Sequence, residues 1–170
     1  MKLKYTFKIS RFVFIMMFLP LLAHAQTDAP EGMQHNHSPK NLPKTALTPQ
    51  LIISINEDDM SGFNLHLQTK HFQLESPRQE GKTPSNIVEG HGHLYINGTK
   101  IQRVYGQDVH IPGKHIKEGV NQISVTLNGH DHGAWRKNGK EIISTLFINT
   151  HKKQIVSHQF SSFPVLVTNP

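Results

Sequence analysis

The chain has 170 residues, with 18 Lys and Arg against 12 Asp and Glu, 13 His and no Cys. The lack of cysteine excludes disulfides, a blue-copper centre and iron–sulfur clusters, all of which need sulfur from cysteine. The basic balance is local: residues 1–25 carry four of the 18 cations and no acid. Residues 26–170 hold 14 against 12, a net charge of +2, with no basic stripe of the kind that tracks nucleic acid.

Lys2, Lys4, Lys8 and Arg11 precede an apolar run from Phe12 to Leu22, and Ala23-His24-Ala25 supplies small residues where a signal peptidase reads them. The run falls short of the about 20 residues that a spanning helix needs. Residues 1–25 are therefore expected to be a signal peptide cleaved before Gln26, leaving no membrane span. No cysteine is available for a lipid anchor. The mature protein is expected to be periplasmic or secreted. Twelve of the 13 histidines remain in it.

Residues 26–49 read as a disordered leader, rich in Pro and without apolar periodicity. Met33 and the pair His35 and His37 lie in it, a weak metal-capture sequence. From Gln50 onward, strand follows strand up to residue 170. Leu51–Ile55 is apolar and β-branched. Phe63, Leu65 and Leu67 alternate with polar residues, and Phe72-Gln73-Leu74 continues the alternation before Pro77. Arg78–Asn86 is a polar loop. Val88–Asn97 is a longer strand, and Asn97-Gly98 signals a hairpin into Lys100–Tyr105. Pro112-Gly113 marks a turn, Gln122–Asn128 a strand, Asn138-Gly139 a turn and Ile142–Ile148 another strand. Ile155–Val167, interrupted by Pro164, reads as an edge strand or extended tail. Short strands at this spacing, with no sustained helical pattern, predict a single all-β domain, an antiparallel β-sandwich over residues 50–170.

Two His-x-His pairs, His91-Gly92-His93 and His130-Asp131-His132, carry the chemistry. Residues two apart on a strand share a face, about 6.6 Å apart, so their imidazoles converge on one ion. On Val88–Asn97 one face holds Val88, Gly90, Gly92, Leu94 and Ile96, and the other Glu89, His91, His93, Tyr95 and Asn97. A row of histidines does not belong in a dry core, so the second face meets solvent or a site. The other pair follows Gly129 in a loop at a strand end, where Asp131 is placed to orient an imidazole. His110 and His115, flanking the Pro112-Gly113 turn, are further candidates. His66, His71, His151 and His158 read as surface or packing residues, and Tyr105 and Trp135 as core or rim aromatics. Three or four imidazoles without thiolate suit Cu(II) or Zn(II).

The run from Glu89 to Gly98, then Arg103-Val104-Tyr105-Gly106 and His110, resembles a family of small exported bacterial β-sandwich proteins with a Gly-His-x-His-Leu-Tyr-x-Asn-Gly motif. Gly119–Ile123, Leu127-Asn128, His132 and Gly139–Ile142 extend the resemblance over about residues 50–150. It implies an immunoglobulin- or cupredoxin-like sandwich and an association with periplasmic copper handling. Position by position, it implies the ligand set His91, His93, His110 and His132. His130 stands where the family pattern has an amide, and Asp108 and Val109 replace an aromatic before His110.

The expected function is non-enzymatic: capture of copper, or zinc, for storage, delivery or tolerance, with a periplasmic metal-acceptor protein as partner and no nucleic acid. Binding is expected to fail below about pH 6, where free imidazole protonates. The alternative is a non-catalytic interaction module of the cell envelope, its histidines incidental or pH-sensing. A copper oxidase using an amino-terminal histidine would need cleavage after Ala23, which the bulky Leu21 disfavours.

Overall fold

The computed structural model describes residues 38–77 and 83–165. Residues 1–25, read above as a signal peptide, His35 and His37, and part of the polar loop lie outside them. The described residues belong to one compact unit, all-β and sandwich-like. None of their helices is long and apolar enough to cross a membrane.

One sheet contains β2 (Gln50–Glu57), β3 (Phe63–Lys70) and β7 (Asp108–Ile111), in the order β2-β3-β7. Its alternation is regular: Leu51, Ile53 and Ile55 on β2, and Phe63, Leu65 and Leu67 on β3, are buried, with Ser54, Asn64 and His66 turned outward. The facing sheet contains β4 (Phe72–Leu74), β5 (Val88–Ile96), β6 (Thr99–Val104), β8 (Val120–Asn128), β11 (Ile143–Asn149) and β12 (Val156–Ser161). It runs β12-β11-β8-β5-β4, with β6 also paired to β5. Leu94, Ile96, Ile123, Val125, Leu127, Leu146 and Ile148 fill the space between the two sheets. Burying each such side chain contributes about 1.5–3 kcal/mol.

The alternation of Phe63–Leu67 does not run on unbroken into Phe72–Leu74. His71 adopts a left-handed backbone, φ 58°, and carries the chain from the first sheet to the second. β4 pairs there in parallel with Val88–Gly90. The Asn97-Gly98 turn closes the β5–β6 hairpin with both residues at positive φ, 51° and 82°, as a two-residue turn matched to strand twist requires. Val156–Ser161 is an edge strand, as its sequence suggests.

A third, small sheet lies beside the others: β1 (Lys40–Asn41), β9 (Trp135–Lys137) and β10 (Lys140–Glu141). β1 falls within the stretch that reads as leader. Residues 38–49 are nonetheless tied down, because the Lys40 amide donates to Ala134 O at 2.9 Å and the Leu42 amide to Arg136 O at 3.0 Å. Ala46 is buried and Leu42 packs on the core. Two-residue strand pairing and isolated apolar anchors leave no periodic signal to read.

A candidate metal centre on the outer face of the central sheet

β5 and β8 pair antiparallel, with His91 opposite Asn128 and His93 opposite Thr126. Directly opposite residues share a face, so the histidine row continues onto Thr126 and Asn128. That face points away from the sandwich core, yet His91 is 0 % and His93 2 % exposed. Of the two fates open to the row, solvent or a site, the structure gives a covered site.

Both glycines of the motif are needed for this placement. Gly90 sits at φ 151°, and a Cβ there would stand 1.9 Å from Asn128 O. A Cβ on Gly92 would point into the core, 3.1 Å from Val125 Cγ1 and 3.3 Å from Val104 Cβ. The glycines let β5 press against β8 and the core while His91 and His93 turn outward.

The third histidine arrives from the turn after β8. The Gly129 amide donates to Gly133 O at 3.0 Å and the His132 amide to Gly129 O at 2.9 Å, closing a tight turn with His132 at φ 67°. Thr126 Oγ1 donates to Asn128 Oδ1 at 2.7 Å, and Asn128 Nδ2 donates to His132 O at 2.9 Å. Two buried polar side chains of β8 thus hold the loop carbonyl and aim His132 inward.

His91 Nε2 lies 2.9 Å from His93 Nε2 and 3.2 Å from His132 Nδ1. Three buried histidines are therefore close enough to hold one metal ion, with ligand atoms all within 4.8 Å of one another. Tyr105 covers His91 from the rim at 5.2 Å between ring centroids. Lys100 Nζ approaches His93 Nε2 at 3.2 Å. Burial pushes the His91 imidazole down to about 4, aided by His132, Arg103, His130 and Lys100. It pushes His93 down to about 3, with Lys100 the next cause, then His91, His132 and Arg103. Both rings are thus neutral at neutral pH, the form that binds a metal. Burial, then Arg103, holds the Lys100 amine below its ordinary range.

His110 is not brought to this cluster. It lies exposed on β7, in the other sheet, with Nδ1 3.3 Å from Asn64 Oδ1. His115 is half-buried in the 3-10 turn Gly113–His115. His130 is half-buried beside the cluster, its ring stacked 6.2 Å from that of His91, and both its nitrogens are buried without a hydrogen-bond partner. Asp131 does not orient an imidazole: its carboxylate pairs with Lys40 Nζ at 2.8 Å and accepts from the Gly133 amide. The docked leader end competes for it, and that competitor is invisible from the local His-Asp-His spacing.

Lys100 and Tyr105 are site residues that the histidine pattern does not single out. The Asn97-Gly98 hairpin carried the signal for Lys100, since a two-residue turn sets Lys100 opposite Tyr95, on the histidine face. No protein-family model, curated protein or solved structure matches the chain.

Proposed function

We propose that this is an exported metal-binding protein that holds copper or zinc through His91, His93 and His132, for storage, delivery to an acceptor protein or tolerance. The convergence of three buried imidazole nitrogens at 2.9 and 3.2 Å carries the reading. Two nitrogens about 2.05 Å from one ion stand about 2.9 Å apart at a right angle and about 3.3 Å apart at a tetrahedral angle. Both separations fall in the range of nitrogens that share one ion, and copper is the first choice and zinc the second because Cu(II) binds nitrogen sites the more strongly. Export is supported by the signal-like segment up to Ala25, and copper also by the resemblance carried by residues 90–98.

Titration of the protein with Cu(II) and Zn(II), beside a His91→Ala/His93→Ala variant, tests the reading. Tight binding of one ion per chain is expected in the parent and its loss, by a hundredfold or more, in the variant. Equal binding of micromolar strength or weaker in both would overturn it.

A further inference from the structure

The triad is open on one side. His93 and His132 line a pocket of about 340 Å³, whose other walls include Tyr95, Lys100, Asn128 and Glu141. His91 lies deeper, fully buried. Imidazole ligands bring no negative charge to a divalent ion, and the cations Lys100 and Arg103 both act on His91 and His93. The neighbouring carboxylates among the described residues each have a partner. Glu141 Oε1 accepts from Arg136 Nη2 at 2.6 Å, Asp131 pairs with Lys40 at 2.8 Å, and Glu89 accepts the Thr83 hydroxyl. A divalent ion here would stand beside Lys100 and Arg103, and each neighbouring carboxylate among the described residues already has a partner. A three-ligand metal site also keeps a position for an exchangeable ligand.

We infer that a metal held by His91, His93 and His132 takes its remaining ligand from this pocket, and that this ligand is a small anion, a carboxylate, bound between the metal and the Lys100 ammonium. The inference rests on the metal-binding proposal and adds the class of the co-ligand. Lys100 Nζ, 3.2 Å from His93 Nε2, stands beside the ligand shell and offers its three N–H donors to such an anion. As a cation it opposes the metal and favours the anion. Removing it therefore acts on the two in opposite directions.

Cu(II) uptake by the protein is measured first, then azide is titrated into the copper-loaded form and the azide-to-copper charge-transfer band is followed. Acetate is added as a competitor. A saturable band that acetate suppresses is expected. In Lys100→Met, copper should bind more tightly while azide binds about tenfold more weakly, the range for loss of a charge-assisted hydrogen bond. Lys100→Arg, which keeps the charge, should hold azide affinity within about threefold of the parent. Copper uptake without an azide response would overturn the anion site and leave the metal site standing. An unchanged azide affinity in Lys100→Met would also overturn it, as would loss of copper in that variant, which would make Lys100 a ligand. Failure of the parent to take up copper or zinc would remove the metal reading itself and the anion site with it.

Discussion

Lowering the pH from 7 to 4 should destabilise the metal-free protein steeply, and a His91→Gln/His93→Gln variant should lose that steepness. In the folded protein the two imidazoles titrate at about 4 and about 3, against 6.5 in an exposed ring. Both values are depressed, so as the pH falls below 6.5 the unfolded chain takes up protons that the folded chain refuses. Stability is complete above 6.5 and drains away down to the folded values. The slope is about 1.4 kcal/mol per pH unit for each histidine, or about 2.7 for the pair, so moving from pH 6 to 4.5 removes about 4 kcal/mol. That is a large share of the about 5–15 kcal/mol that holds a domain together. Urea unfolding followed by the fluorescence of Trp135, the single tryptophan of the chain, reads the effect at each pH. Glutamine does not titrate, so the slope with pH, not the absolute stability, is the quantity compared. Midpoints that stay constant between pH 6.5 and 4.5, or that fall equally in parent and variant, would refute the reasoning. The same depression alters the expectation for metal release: the imidazoles remain unprotonated well below pH 6, so loss of the ion moves toward about pH 4–5.

Gly90→Ala should destabilise the protein by about 3 kcal/mol or more, because the new methyl meets Asn128 O and the backbone must leave its positive φ. Chemical denaturation checks this, and a cost under about 1 kcal/mol would mean that β5 and β8 can separate at Gly90 with little loss. Asn128→Ala frees His132 O and the Thr126 hydroxyl together, so metal affinity should fall by about tenfold through loss of positioning, with about 1–3 kcal/mol of stability lost. Titration and denaturation run in parallel separate the two effects, and an unchanged affinity would show that the turn around Gly129–Gly133 holds His132 without Asn128.

The strands were readable where a period of two coincides with one buried face, as in Phe63–Leu67, and where a turn demands special residues, as at Asn97-Gly98. His91 and His93 were readable as a same-face pair by the same logic. Their partner was harder to find. His132 and His130 have equivalent neighbours in sequence, and only the closed turn from Gly129 to Gly133 decides which ring points inward. His110 lies next to a turn like the others, but β7 pairs with β3, and strand pairing across sheets is a long-range property that local pattern does not encode. The docking of residues 38–49 escapes for the same reason: parallel pairing of Lys40 with Trp135 joins segments 95 residues apart.

The histidine row also breaks a rule that the rest of its face obeys. Ser124 and Thr145 exchange a hydrogen bond at 2.9 Å, and Thr126 and Asn128 one at 2.7 Å, so these buried polar side chains are paired. Among the histidines the pairing is incomplete. A neutral imidazole has one N–H and one lone pair, and His91 Nε2 faces a nitrogen of each of its two neighbours, while its Nδ1 is buried with no partner in either tautomer. An orphaned buried group of this kind costs about 1–3 kcal/mol. A strand selected for stability alone would carry Ser or Thr here, as β8 does. Local conflicts of this sort are expected where function overrides packing. A cation at the point of convergence accepts all three lone pairs at once, and because it binds only the folded chain it adds about 2.7 kcal/mol at a free concentration a hundredfold above Kd. That gain is of the same size as the cost, so a bound ion offsets what the arrangement takes from the metal-free protein, although His91 Nδ1 itself stays without a partner.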